Sequence, residues 1–172
     1  CASCTPGRYE VAGVAATKEC KPCPNGYECP AGPRGGTTKS PCGAGTYSAD
    51  AGGTIEACSA CGGGSIVNKE SGSTMCRQCG AGQFETGHTV CSVCGPGSIV
   101  NAAKGSTTCK ACGAGQYETS HTGCAACGPG SIVDEKKTTC SKCPNGQYEK
   151  SHTTCASCTP GRYEVAGVAA TK

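Results

Sequence analysis

A chain of 172 residues with 20 cysteines and 28 glycines, but no Trp, one Phe and no Leu, lacks the side chains that pack a globular core of this length. Its net charge of +3 is small and its Lys and Arg are scattered, so no nucleic-acid patch is implied, and no apolar run of about 18 residues exists to cross a membrane as a helix. Apolar burial at about 25 cal/mol per Å2 cannot offset an ordering cost of about 1.5 kcal/mol per residue here, so covalent closure must hold the fold, and cysteine at this density belongs to an oxidising, extracellular or cell-surface setting.

Taken in chain order, the first element is also the last. Residues 1–18, CASCTPGRYEVAGVAATK, return unchanged as residues 155–172, so equivalent positions lie 154 apart. The chain is expected to be one period of a tandem array that continues at both ends, with no signal peptide in the segment. Within the period, CxxC pairs start at Cys1, Cys20, Cys58, Cys76, Cys91, Cys109, Cys124, Cys140 and Cys155. The step from 20 to 58 is two units wide, and the missing pair would begin at 39, where Lys39 stands before an intact Cys42. The units are therefore 1–19; 20–38, a variant carrying Cys29; 39–57, with Lys39 in place of cysteine; 58–75; 76–90; 91–108; 109–123; 124–139; 140–154; and 155–172, which opens the next period.

Each unit but 20–38, where Tyr27 follows the glycine directly, carries C-x-x-G-x-Φ, where Φ is aromatic or Ile: Tyr9, Tyr47, Ile66, Phe84, Ile99, Tyr117, Ile132, Tyr148 and Tyr163. The glycine supplies a turn, the alternation after it suits a short strand with one inward side chain, and the Thr-Thr or His-Thr before the next cysteine suits the returning strand. The predicted fold class is small and disulfide-rich: short β-hairpins and loops in an elongated tandem-repeat rod without a large hydrophobic core, each hairpin closed by one disulfide and capped by its Φ residue as local core. From Cys61 to Cys155 the GSIV and GQ(Y/F)E units alternate, a super-repeat of two units. The one stretch with a helical leaning is Glu10–Lys18, interrupted by Gly13.

The broken unit narrows the disulfide pairing. If the second cysteine of each CxxC bonds the first of the next, the bonds are Cys4–Cys20, Cys42–Cys58, Cys61–Cys76, Cys79–Cys91, Cys94–Cys109, Cys112–Cys124, Cys127–Cys140 and Cys143–Cys155. Cys23 then faces Lys39, and the extra Cys29 completes Cys23–Cys29. Cys1 and Cys158 are expected to bond into the neighbouring periods, Cys158 to the next copy of Cys20. Pairing first cysteine to second instead leaves Cys61 without a partner and Cys29 without a role.

The sequences CPNGQYEKSHTTCASC (143–158) and CGAGTYSADAGGTIEACSAC (42–61) resemble the ephrin-receptor-like cysteine repeat and the first module type of tumour-necrosis-factor-receptor domains. The resemblance covers essentially the whole chain. It implies extracellular rods of short strands, and the same bonding from the GxY-side cysteine to the cysteine ending the loop. The crossed double-disulfide module of the receptors is missing, and the near-identical copies are similar to repetitive cysteine-rich surface and appendage-fibre proteins of protists.

Sharper chemistry fits the pattern less well. A zinc ribbon uses two complete CxxC pairs per ion, and Lys39 breaks one. A thioredoxin-like centre needs a βαβ scaffold and one or two copies of CxxC. His88, His121 and His152 recur three residues before a cysteine and suit a metal or pH ladder; the economical reading is surface residues repeated along with everything else. Asp occurs only at 50 and 134, which rules out an oxygen-rich calcium loop, and no nucleophile–base set stands out. The expectation is a non-enzyme without catalytic, cofactor or metal residues: a structural repeat of an extracellular filament, stalk or surface coat, whose partners are identical repeats or chains. O-linked glycan on Thr107, Thr108, Thr138, Thr139, Thr153 or Thr154 is a further expectation. The alternative is a receptor or adhesin ectodomain or a variable surface antigen.

Overall fold

The computed structural model describes residues 4–12, 18–30, 38–49, 55–165 and 168–171. These form short strands joined in two-stranded sheets, each a hairpin made of chain neighbours, and no helix occurs among the described residues. The ordering rests on a turn written into every unit. In Gly95-Pro96-Gly97-Ser98 the Ser98 amide donates to the Gly95 carbonyl at 3.1 Å, and Gly97 has φ +69°. Positive φ at the third residue alone is the type II pattern, which glycine adopts without steric cost. The same bond and sign recur from Thr5–Arg8 to Thr159–Arg162.

Two compact units are present, the first made of residues Cys1–Cys79 with Glu85–Cys91, the second of Gly80–Phe84 with Ser92–Lys172. In the first, β1 (Arg8–Ala12) pairs with β2 (Lys18–Pro22), β3 (Tyr27–Glu28) with β4 (Ser40–Pro41), β5 (Thr46–Tyr47) with β6 (Ser59–Ala60), and β7 (Ser65–Val67) with β8 (Cys76–Gln78), all antiparallel. The chain passes to the second unit through the hairpin of β9 (Gln83–Thr86) and β10 (Val90–Val93). There β11 (Ser98–Val100) pairs with β12 (Cys109–Ala111), β13 (Gln116–Thr119) with β14 (Gly123–Ala126), β15 (Ser131–Val133) with β16 (Cys140–Lys142), and β17 (Gln147–Lys150) with β18 (Thr154–Ser157). Last come β19 (Arg162–Val165) and β20 (Val168–Thr171). From β6 onward, the returning strand of each bonded loop runs through CxxC itself: Tyr117 faces Ala125, and Glu118 faces Cys124. The expected return through His-Thr is corrected, because His121 and Thr122 lie in the tip of that hairpin.

Nine disulfides close the loops: Cys4–Cys20, Cys23–Cys29, Cys42–Cys58, Cys61–Cys76, Cys79–Cys91, Cys94–Cys109, Cys112–Cys124, Cys127–Cys140 and Cys143–Cys155. Cys158 is a free thiol, and Cys1 lies outside the described residues. The interior is lined chiefly by sulfur. Cys4, Cys23, Cys42, Cys61, Cys79, Cys94, Cys112 and Cys127, each the residue just before a turn, are buried, with Ile55, Ile66, Val67 and Val100 added. Of the expected local core, Ile66 is buried, whereas Tyr9, Tyr47, Phe84, Ile99, Tyr117, Ile132 and Tyr148 are half-buried. Tyr163 is a correction: it is 51% exposed.

That difference belongs to a larger one. The same strand sequence, RYEV, is paired in two ways. In β1–β2, Tyr9 lies opposite Lys21 and Glu10 opposite Cys20. In β19–β20, Tyr163 lies opposite Ala170 and Val165 opposite Val168, so the strand folds back on its nearest downstream neighbour. The helical leaning of Glu10–Lys18 is also corrected, since Glu10–Ala12 and Lys18 are strand residues; residues 13–17 lie outside those described.

Candidate functional site

The chemistry-bearing side chains gather where one hairpin meets the next. At the tips of the three short loops the chain runs Thr86-Gly87-His88-Thr89, Thr119-Ser120-His121-Thr122 and Lys150-Ser151-His152-Thr153. Both central residues have positive φ, 58° and 55°, 52° and 56°, 53° and 55°, the type I′ pattern. For Ser120, Ser151 and the histidines this conformation costs roughly 1 kcal/mol each. Something must hold it, and the glutamate of GQ(Y/F)E does so. The His88, His121 and His152 amides donate to Oε2 of Glu85, Glu118 and Glu149 at 2.9, 2.8 and 2.9 Å.

Held this way, the histidine reaches back to the preceding loop at two points. Its carbonyl accepts from the amide of Val67, Val100 or Val133, in each case at 2.9 Å. Its ring Nδ1 stands 3.2, 3.1 and 3.2 Å from the carbonyl oxygens of Ser65, Ser98 and Ser131. A carbonyl only accepts, so Nδ1 carries the hydrogen and donates. The same Nδ1 is 3.5–3.6 Å from the glutamate Oε2. The reading of these histidines as repeated surface residues is corrected: they are partly buried clasps between successive hairpins. Lys137 (φ 56°) does the same work in the long loop 127–140, its carbonyl taking the Glu118 amide at 2.9 Å and its Nζ donating to the Cys112 carbonyl at 2.6 Å.

The tips also touch the hairpin two places back. A Cβ on Gly97 would stand 2.5 Å from the Lys136 carbonyl oxygen, and one on Gly115 would stand 2.8 Å from that of Ser151. The signature glycine is thus required twice, by its φ and by the backbone that crosses it. The Cys112 amide also donates to the Gly97 carbonyl at 2.8 Å, so one residue joins turn, disulfide and the following tip.

The long loops keep their tips in shape with side chains. Asp134 Oδ1 accepts from the amides of Thr138 and Thr139 at 2.7 and 2.8 Å, and Oδ2 from the Thr138 hydroxyl at 3.0 Å. The Thr139 amide, with that of Thr138, holds the Asp134 carboxyl below the usual carboxylate range. Ser106, 1% exposed, bonds both the amide and the carbonyl of Ala102. Where the repeat lacks a cysteine, Lys39 Nζ lies 4.8 Å from the Tyr9 ring centroid and 5.0 Å from that of Tyr27, a cation–π sandwich. Those two rings pack on buried Cys23, Cys29 and Ile55.

These arrangements position backbone. None of the nine bonds closes within a CxxC motif, so as disulfides these cysteines are neither zinc thiolates nor a thioredoxin-type couple. Among the described residues no cluster of three or more His, Cys, Asp or Glu is arranged to hold a metal ion, and no helix is long and apolar enough to cross a membrane. The disulfide density fits a secreted or extracellular protein. No family model matches the sequence, and no curated protein is significantly similar to it.

Sequence reasoning missed the partners of the histidines, the role of Glu85, Glu118 and Glu149, and the buried Val67 and Val100. The S-H-T and G-H-T tips, with the histidine always three residues after that glutamate, were the available signal.

Proposed function

We propose that this chain is a repeating structural segment of an extracellular filament, stalk or surface coat, which works by holding a shape and joining to copies of itself, without catalysis. The observation that carries the reading is repetition at two levels. Residues 1–18 recur unchanged as 155–172, and the clasp recurs as Ser65–His88, Ser98–His121 and Ser131–His152. A mechanical array needs many equivalent joints; a binding site needs one. Each clasp joins neighbouring loops, so stability should build up along the chain as in other repeat proteins. Thr107, Thr108, Thr139 and Thr154 are exposed and open to O-linked sugar, whereas the Thr138 hydroxyl is taken by Asp134 and that of exposed Thr153 by the Lys150 carbonyl. Electron microscopy of native material tests the reading: a thin fibre or rod with a regular axial repeat is expected, and compact monodisperse particles contradict it.

A further inference from the structure

The two strands of a hairpin differ in what their outer edges do. In β13–β14 the Cys127 amide donates to the Gly115 carbonyl at 3.1 Å, and Tyr117 lies opposite Ala125. Bonded and unbonded pairs alternate in an antiparallel ladder, so the amides and carbonyls of Glu118, Cys124 and Ala126 point away from the hairpin. On the leading strand this edge is taken: the Glu118 amide donates to the Lys137 carbonyl, as the Val100 amide of β11 does to the His121 carbonyl. On the returning strands it is bare. No backbone bond joins Cys109, Ala111, Cys124 or Ala126 to another segment among the described residues. The bare edges alternate in character along the chain. β8, β12 and β16, which close the long loops, carry Arg77, Lys110 and Lys142. β10 and β14, which close short loops, read Val-Cys-Ser-Val and Gly-Cys-Ala-Ala and carry no charge. A basic side chain on an exposed edge deters a further strand, and an uncharged edge invites one. Val90 and Val93 of β10 are 54% and 61% exposed. The tips that reach back to these two loops are in place: a Cβ on Gly82 or Gly115 would stand 2.9 or 2.8 Å from the carbonyl oxygen of Ser120 or Ser151. They cross at the turns and leave the returning edges open.

We infer that β10 and β14 are edges to which the same strand of a second copy of this chain adds, antiparallel and about a two-fold axis. For β14, Ala125 then lies opposite the partner's Ala125, and Cys124 and Ala126 lie opposite the partner's Ala126 and Cys124. Every outward amide and carbonyl of Cys124 and Ala126 gains a partner, and the two hairpins become one continuous sheet. The occupant is a second copy because the edge is self-complementary. Read antiparallel, β14 sets small uncharged side chains on one another, whereas the same pairing of β12 would set Lys110 on the partner's Lys110. Each contact is short, so its strength comes from recurrence along a repeating chain. The inference rests on the reading that copies join, and it adds the strands that meet.

The test uses the whole chain carrying Cys1→Ser and Cys158→Ser, so that neither thiol competes, and adds Ala125→Cys. In the paired strands position 125 faces itself as an unbonded pair, with Cα atoms about 4.5 Å apart, inside the range that a disulfide spans. The protein is air-oxidised at rising concentration, alkylated, run without reductant and mapped by peptide mass spectrometry. A dimer linked from position 125 to position 125 is expected, growing with concentration and keeping the native disulfides. Lys110→Cys in the same background should stay monomeric. Adding Ala126→Pro, which removes an outward N–H that the hairpin does not use, should abolish the dimer. Should Ala125→Cys disturb the native bonds, Ser92→Cys, at the same position of β10, is read in its place. No dimer at any concentration, as much dimer from Lys110→Cys, or a dimer that survives Ala126→Pro overturns the proposal. Native fibres built of single unpaired chains would likewise remove this edge while leaving the filament reading intact, and dimers linked at position 125 of a chain that forms no fibre would keep the edge and remove the filament.

Discussion

The Nδ1 of His121 stands 3.1 Å from the carbonyl oxygen of Ser98 while the His121 carbonyl takes the amide of Val100 at 2.9 Å, so one left-handed residue binds the preceding hairpin through ring and backbone together. The two contributions separate by substitution. His121→Ala loses the ring bond, about 1 kcal/mol, and keeps the backbone strain. His121→Gly loses the same bond but relieves roughly 1 kcal/mol of left-handed cost, and should lie close to wild type. Exchange of the Val100 amide reads both; equal acceleration in the two variants contradicts the clasp.

Gly97→Ala places a Cβ at φ +69° and 2.5 Å from the Lys136 carbonyl, whereas nothing lies within 4 Å of a Cβ on Gly95 in the same turn. The first change should cost about 2 kcal/mol or more, and the second less than about 0.5 kcal/mol. Thermal melts of the two single variants compare them, and similar melting temperatures would contradict the crossing of hairpins at Gly97.

Removing one disulfide should loosen one region. Replacing Cys79 and Cys91 together by Ser releases a bond that spans 12 residues in sequence, worth about 3 kcal/mol for a loop of this size. Hydrogen exchange should rise through β9 and β10 and stay unchanged in β15–β18. A uniform rise along the chain contradicts local, additive stability.

Low pH should release the loop tip that Asp134 holds, below the range in which an ordinary carboxylate is protonated. The Asp134 carboxyl is held below its usual range by the Thr139 and Thr138 amides, so its folded value is depressed. Its contribution is then fully present above the ordinary carboxylate pKa of about 3.9, and is lost as pH falls through the folded value. Amide shifts of Thr138 and Thr139 should titrate together below that point, and Asp134→Ala should abolish the titration. An inflection above the ordinary value contradicts the assignment.

What could be read from the sequence is what is local and covalent. A glycine three residues after a cysteine dictates its turn whatever surrounds it, and the coincidence of Lys39 with Cys29 left one consistent set of disulfides; the structure has that set. The clasps were hidden because they join residues such as Ser98 and His121, 23 apart, through backbone carbonyls that no side-chain pattern reveals. The aromatic positions were read as more interior than they are, since the cystines take the middle of each loop and leave Tyr117 and Tyr148 half-covered. Tyr163 departs furthest, because its cover in the other copy is supplied by residues beyond Lys18.

Peptide mapping of the disulfides in folded, unreduced protein bears most directly on the claim that loop closure gives this chain its shape. Cross-linked peptides joining each CxxC to the next are expected, together with a Cys23–Cys29 link in the variant unit. Free thiols throughout, or bonds closed within single CxxC motifs, would contradict that claim.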